Sequence, residues 1–457
     1  NRVVLAKKWG LDSEKMGDGY DLRFCLDLSS LNHIFKPALC TYPDPHSEMI
    51  KLTTQDVYFQ ADGMKQFWSI PLDPQSREFM GFHTPLGILR FKRLPMGMLS
   101  SAVFAQNAYH RAMHRHLKSD TLQNLANFQD DFAGGAAGPT KWVDLLRRWD
   151  DFLHMCEQAG ITLNLAKCKW GYNECTFFSW KIRSGGEIRP KKSSLGPLEA
   201  MVPPATLSET RSVLGILVQL KDYVQGYAHI VQPLHDLTKG SKKIKKKFSL
   251  TAAAKQAFHD IKLLMLDNRV LFAPNEEDHL IVESDASDAG YGGNLFFMRG
   301  DEKRVVMWVS KSWTDAQAKK PVFWRECFAM LYVLDKSSGW TGTSKHKVVA
   351  RTDHKPLTGR FLHKLHHNQS LGTFYWERIA GRVNFEIQYI PGSIMETSFS
   401  DHLSRCPAVG PKRLASLGKR VMLGRLLEQL EALTITYRDG RKGLVRDAPT
   451  IMVYASA

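Results

Sequence analysis

The stretch whose reading decides this chain is NLANFQDDFAGG, residues 124–135, which sets Asp130 and Asp131 side by side between the apolar LANF and a glycine pair. An aspartate pair in a turn is, taken alone, a solvated loop. Here Phe132 and Ala133 follow the pair, so both flanks are apolar and the aspartates belong at the tip of a hairpin whose strands are buried. A second β-type run, DVYFQAD, ends on Asp62 in the same way. Three carboxylates within ~5 Å would repel by about 3 kcal/mol per pair at an effective dielectric of about 20. Mg²⁺ turns such a cluster into a triphosphate site, because it takes carboxylate and phosphate oxygens in octahedral geometry. Two such ions stabilise the attacking and leaving oxygens of an in-line phosphoryl transfer.

The rest of the chain bounds this reading. Its 457 residues, 43% hydrophobic and 11% aromatic, suit two to four globular domains. The balance of 62 Lys+Arg against 46 Asp+Glu, a formal charge of +16, favours a polyanionic partner such as nucleic acid. No apolar run approaches the ~18–20 residues that span a bilayer, so no membrane partner is expected. The seven cysteines form no C-x-x-C pair, which argues against a zinc ribbon or disulfide framework and for a reducing, intracellular compartment, cytoplasm or nucleus. The chain starts at Asn1 without a methionine, so a removed targeting peptide, an organelle or a polyprotein neighbour stays open.

Residues 1–195 mix β-type runs (RVVLAK, LRFCLDL, VYFQAD, LRFKRL) with a helix over 99–118 that puts Phe104, Ala108 and Ala112 at helical spacing. A helical segment over 196–275 opens after a proline pair, with Thr206 or Ser208 as its cap. It contains KGSKKIKKKF, residues 239–248, which suits either a phosphate-tracking loop or a solvated one. A third domain begins near residue 276 with HLIVESDASDAGYGG. Residues 409–457 carry a basic amphipathic helix and an Asp439-Gly440 hairpin signal, with nine Lys/Arg against four Asp/Glu.

Taken in order, RFCLDLSSLN, FQADGMKQFWSIPL, MGFHTPLGILRFKRLPMG, NFQDD and GITLNLAKCKWGYNECTFFSWKIRSGGEIRP resemble the reverse transcriptase of gypsy-type LTR retrotransposons. LIVESDASDAGYGG, FWRECFAMLYVL, VVARTDHKPL and FEIQYIPGSIMETSFSDHLSR resemble the RNase H fused to it. The resemblance implies an α+β right-hand polymerase of fingers, palm and thumb followed by an RNase H-like α/β domain. Its substrates would be an RNA template, a DNA primer, dNTPs and an RNA–DNA hybrid, with two Mg²⁺ per active site. Carried over residue by residue, Asp62, Asp130 and Asp131 are the polymerase metal ligands. Asp285, Glu326, Asp353 and Asp401 are those of RNase H. Phe67 matches the aromatic gate against a ribose 2′-OH, or else is a core aromatic beside Trp68. Lys8 and Arg23 match positions that grip the incoming triphosphate, or else are surface charges. Met96 and Gly97 belong to the LPMG loop beside nucleotide and template.

The chain departs from the family pattern at several points. Phe128 and Gln129 stand where a tyrosine and an apolar residue are usual, and Gly134 and Gly135 weaken the strand after the aspartates. Ser29 replaces an arginine, Glu187 replaces the glycine before IRP, and the family has further residues ahead of RVVLAKK. These changes frame an alternative: a catalytically inactive, host-retained copy that serves as an RNA-binding scaffold in a ribonucleoprotein. The extension over 409–457 would then dock on RNA or a protein partner. His110, His114 and His116 share a helix edge that suits nucleic acid better than a metal.

Overall fold

Three of the four β-type runs form strands close to the expected bounds, whereas LRFKRL places only Leu89 and Arg90 in a strand, Gly87–Arg90, and leaves Phe91–Leu94 outside it. Arg2–Lys7 (β1) pairs antiparallel with Leu22–Asp27 (β2), and Val57–Asp62 is β3. These assignments come from a computed structural model that describes residues 2–7, 22–33, 42–84, 87–238, 248–266, 270–359, 361, 365, 367–391, 434–436 and 442–444. The chain divides into two units, residues 1–188 and 189–457. Lys8, Asp401, the basic run 239–247 and the expected helix over 414–433 lie outside the described residues. No helix of the described residues is long and apolar enough to cross a membrane.

In the first unit β4 (Gly81–Thr84) and β5 (Gly87–Arg90) form a separate hairpin. The hairpin at the heart of the unit is β6 (Leu125–Phe128) and β7 (Asp131–Ala136), set in the order β6-β7-β3-β8 with β8 at Lys169–Tyr172. Strands β9 (Glu174–Phe177), β10 (Trp180–Arg183) and β11 (Glu187–Pro190) follow as a meander. Helices Ser101–His116 and Lys141–Ala159 cover the sheet, and Phe59, Tyr109, Met113, Phe132, Leu145 and Phe152 make the core. The first of these helices is rotated from the expected face. Ala105, Tyr109 and Met113 are buried, whereas Phe104 is 44% exposed and Ala108 and Ala112 are half-buried. Tyr109 stacks on Phe132 at 5.4 Å, so the large ring rather than the alanine series sets the face.

The glycines of β7 do not interrupt it. A Cβ on Gly134 would meet the Phe59 ring at 2.3 Å, and one on Gly135 would meet the Gln55 side chain at 2.7 Å. The missing side chains are the space into which β3 packs, and burial of Phe59 offsets the weak strand propensity of glycine.

In the second unit Thr206 caps helix Leu207–Leu217 by accepting from the Glu209 N–H at 3.1 Å. Helices Tyr227–Thr238 and Ala252–Leu266 and the short strand β12 (Leu271–Phe272) lead to a five-stranded sheet. Its strands are β13 (Ile281–Ala286), β14 (Gly290–Arg299), β15 (Glu302–Ser312), β16 (Val348–Thr352) and β17 (Phe385–Tyr389), in the order β15-β14-β13-β16-β17. β13, β14 and β15 run as an antiparallel meander, while β13, β16 and β17 pair in parallel. Parallel pairing demands a crossover, and helix Val322–Lys336 supplies part of it between β15 and β16. Gly293 admits that helix, since a Cβ there would meet Val333 at 2.8 Å. Near the C-terminus Thr434–Thr436 and Lys442–Leu444 pair antiparallel on either side of the Asp439-Gly440 signal, which itself lies outside the described residues.

Candidate functional site

Two acidic centres emerge, one in each unit. In the first, β3 and β7 are in register so that Asp62 faces Asp131 across the ladder, with Asp130 in the turn before β7. The Gly63 N–H donates to the Asp130 carbonyl at 2.8 Å and ties that turn to the end of β3. Gln129 takes a left-handed φ of 54°, a conformation that penalises the branched apolar side chains expected at this position. The turn is braced from below by a buried amide relay. Gln106 Oε1 accepts from the Gln129 N–H at 2.6 Å, Gln106 Nε2 donates to Asn127 Oδ1 at 2.8 Å, and Asn127 Nδ2 donates to the carbonyls of Gln129 and Asp131. Neither Gln106 nor Asn127 stands out in sequence, because a single amide on a helix or strand has no distinguishing spacing.

Asp62 is already partnered. Lys167 Nζ donates to Asp62 Oδ1 at 2.8 Å, and the turn that carries Lys167 is anchored where the Asn164 N–H donates to the Asp62 carbonyl at 2.9 Å. Among the described residues the acidic group placed to share a metal ion lies in the second unit and does not include the palm aspartates. Phe67, five residues past Asp62, sits half-buried in the short helix Gln66–Ser69. Arg23 lies on β2 opposite Ala6.

The LPMG loop is docked on β2. The Met96 carbonyl accepts from the Leu26 N–H at 2.9 Å, and Gly97 has φ +110° with the Leu26 carbonyl oxygen only 2.0 Å from where a Cβ would stand. Asn32, the last residue of RFCLDLSSLN, grips the loop from both sides. Its Nδ2 donates to the Gly97 carbonyl at 3.0 Å and its Oδ1 accepts from the Leu99 N–H at 2.9 Å. Ser29, in place of an arginine, turns its hydroxyl back onto Asp27 Oδ1 at 2.6 Å.

The second centre is Asp285, Glu326 and Asp353, whose ligand atoms all lie within 4.8 Å of one another. The topology explains the convergence. Asp285 is the penultimate residue of β13, Asp353 follows the last residue of its parallel neighbour β16, and Glu326 is the fifth residue of the helix Val322–Lys336. Carboxyl ends of adjacent parallel strands point the same way, and this is where open α/β sheets place their ligands. Asp285 and Glu326 are buried. Burial, with Asp285 and then Asp353 adding their charges, pushes the Glu326 carboxyl up to about 9. The donor set fits a divalent cation: all oxygen, close enough to share an ion, and electrostatically unfavourable until neutralised. Asp401 lies outside the described residues.

The loop after Asp285 is held by Arg325, inside FWRECFAMLYVL beside Glu326, and by Trp313, which no motif contains. Arg325 Nη1 donates to the Ser287 carbonyl at 3.1 Å and to Asp288 Oδ1 at 2.7 Å, and Trp313 Nε1 donates to the same carbonyl at 2.8 Å. The histidine edge carries no such cluster. The rings of His110 and His114 lie 4.2 Å apart and burial lowers the His110 pKa, but the described residues provide no group of three ligands there. The five described cysteines form no disulfide.

A palm hairpin with facing aspartates, followed by a mixed five-stranded sheet with an acidic cluster at its parallel strand ends, defines the class: a reverse transcriptase fold followed by an RNase H-like domain. Comparison with known proteins agrees. Residues 23–193 match the family model "Reverse transcriptase (RNA-dependent DNA polymerase)", and residues 250–348 match "RNase H-like domain found in reverse transcriptase". Among curated proteins the chain is 24% identical over 396 residues to the retrovirus-related Pol polyprotein from transposon opus of Drosophila melanogaster, covering 84% of this chain and 38% of that one. It is 23% identical over 386 residues to the transposon Tf2-3 polyprotein of Schizosaccharomyces pombe, covering 84% of this chain and 28% of the relative. The chain therefore spans well under half the length of these polyproteins. Among solved structures, the foamy viral protease-reverse transcriptase in complex with RNA/DNA hybrid aligns with a TM-score of 0.65 at 17% identity, covering 86% of this chain and 51% of that one. The same viral protein in complex with dsDNA aligns with a TM-score of 0.65 at 16% identity, covering 84% and 77%. The chain thus carries reverse transcriptase and RNase H-like domains with homologues among the Pol polyproteins of transposons.

Proposed function

We propose that the chain is the RNA-directed DNA polymerase and RNase H of a gypsy-type LTR retrotransposon. Template-directed synthesis is assigned to Asp62, Asp130 and Asp131, and cleavage of the RNA strand of a hybrid to Asp285, Glu326, Asp353 and Asp401. The observation that carries this is the close Asp285–Glu326–Asp353 cluster, its first two members buried and Asp353 half-buried, at the strand ends of an RNase H-like sheet. Its oxygens would hold Mg²⁺, which when bound activates a water and stabilises the departing 3′-oxygen. The chain's own contribution is positional. Arg325 and Trp313 fix the loop beside Asp285, and burial keeps bulk water away from Glu326. In the palm, Gln106 and Asn127 hold the aspartate turn, and Phe67 would crowd a ribose 2′-OH.

Two assays test the reading: primer extension on an RNA template with Mg²⁺ and dNTPs, and cleavage of a labelled RNA–DNA hybrid. Extension by a protein carrying Asp130→Asn with Asp131→Asn, or cleavage by Asp285→Asn, overturns the corresponding assignment. The Lys167–Asp62 ion pair favours a second reading in which the palm binds template and primer as a scaffold without extending them. That reading predicts hybrid binding and no extension by the unaltered chain at any Mg²⁺ concentration.

A further inference from the structure

A cavity of about 370 Å³ opens in the second unit between helix Tyr227–Thr238 and the end of β15, within the usual size range of ligand pockets. Lys221, His235 and Lys311 line it together with Gln232, Ser312 and Trp313, and no lining residue is a carboxylate. Lys311 lies over the Tyr332 ring at 5.4 Å, and neither it nor Lys221 has an acidic partner among the described residues. The nearby acid Asp236 accepts from Gln232 Nε2 at 2.8 Å. The walls are bonded to one another: Ser312 Oγ donates to Gln232 Oε1 at 2.6 Å, and the Ala228 N–H donates to Ser310 Oγ at 2.9 Å. The pocket is thus preformed rather than a gap between loose elements. Trp313 links it to the acidic centre, because its Nε1 donates to the carbonyl of Ser287, two residues past Asp285.

We propose that this pocket is a subsite for one nucleotide of a nucleic-acid strand, with Lys221 and Lys311 neutralising its phosphodiester and Trp313 offering a ring to the sugar or base. The proposal rests on the RNase H reading for its substrate class, but not for its geometry. Two lysines in a lining that holds no carboxylate favour an anion, although Asp222 and Asp335 act on the Tyr332 ring under Lys311, and an aromatic wall favours an anion that carries a planar group. Hydrogen bonding through Trp313 sets a strand seated here at a fixed offset from Asp285.

The test uses the full chain and a fluorescein-labelled RNA–DNA hybrid, with binding followed by anisotropy in EDTA across a salt series. Lys221→Gln with Lys311→Gln is expected to weaken binding several-fold and to reduce the slope of log affinity against log salt by about 0.7–0.9 for each phosphate that is no longer neutralised. Lys221→Arg with Lys311→Arg is expected to keep the slope, which separates loss of charge from loss of fold. Unchanged affinity and slope in the glutamine variant overturns the pocket and leaves the nuclease reading standing. The expected slope reduction with no cleavage in Mg²⁺ by the unaltered chain supports the pocket and overturns the nuclease reading. Tighter binding of free deoxyadenosine monophosphate than of the hybrid overturns the strand assignment, because the pocket then serves a free nucleotide.

Discussion

The two acidic centres solve the same electrostatic problem in opposite ways. In the palm, Asp62 and Asp131 face each other across an antiparallel ladder, and a lysine ammonium sits on one of them at 2.8 Å. In the RNase H-like domain three carboxylates crowd within 4.8 Å, and the neighbouring guanidinium of Arg325 is engaged with Ser287 and Asp288. In the first centre Lys167 offsets the charge of one of the three aspartates, Asp62. The second is gathered by topology and carries its repulsion as a proton on Glu326. Strand direction underlies the difference, since parallel strand ends converge on one edge and hold carboxylates together whatever their charge.

The strongest way to break this comparison is to remove a ligand from each centre. Asp285→Asn should lower hybrid cleavage by more than the ~10–100-fold typical of an outer partner, while leaving primer extension intact. Asp62→Asn should do the reverse. Equal loss of both activities from either change would show that the centres are not independent.

The proton on Glu326 supplies the next test. Its ordinary value is 4.5, and burial raises it to about 9. Between those values the unfolded chain has lost a proton that the folded metal-free protein keeps, so stability falls as pH rises through this window. Glu326→Gln should remove that slope and stabilise the metal-free protein at the alkaline end by a few kcal/mol, read from denaturant midpoints in EDTA. A parallel pH slope in the variant would refute the assignment.

Backbone geometry gives a smaller effect in the first unit. Gly97→Ala forces a side chain onto the Leu26 carbonyl at positive φ and should cost on the order of 2 kcal/mol, seen as a lower thermal midpoint. The smallest effect on stability belongs to Lys167→Gln. The pair is partly exposed, with relative accessibilities of 57% and 18%, so stability should change by less than about 1 kcal/mol. Mn²⁺ binding followed by electron paramagnetic resonance should nevertheless tighten, because Asp62 no longer shares an oxygen with a lysine. Unchanged binding would mean that Lys167 does not compete for that carboxylate.

Much of this is legible from residues alone. The run VYFQAD forms β3 with the expected bounds, and the aspartate pair after LANF stands at a hairpin turn, Asp130 within it and Asp131 opening β7, because apolar alternation and abrupt polar ends are local signals. Thr206 is readable as a cap for the same reason. The buried face of helix Ser101–His116 is not, because the choice between Phe104 and Tyr109 depends on what the neighbouring strand offers, here the ring of Phe132. Gly134 and Gly135 look like weak points in sequence because propensity counts what a residue lacks, while Phe59 fills the space at Gly134 and Gln55 that at Gly135.

The order of motifs along the chain determined the fold class and named the acidic residues of both centres, since each motif is a short pattern of strand, turn and charge. Tertiary structure alone decided which acids meet. Asp285, Glu326 and Asp353 are 41 and 27 residues apart in sequence and become neighbours through parallel pairing of β13 with β16. Lys167 reaches Asp62 across 105 residues. Carboxylates repel wherever they are written in a chain, and only the packing of strands and helices sets whether that repulsion is met by a lysine, a proton or an ion.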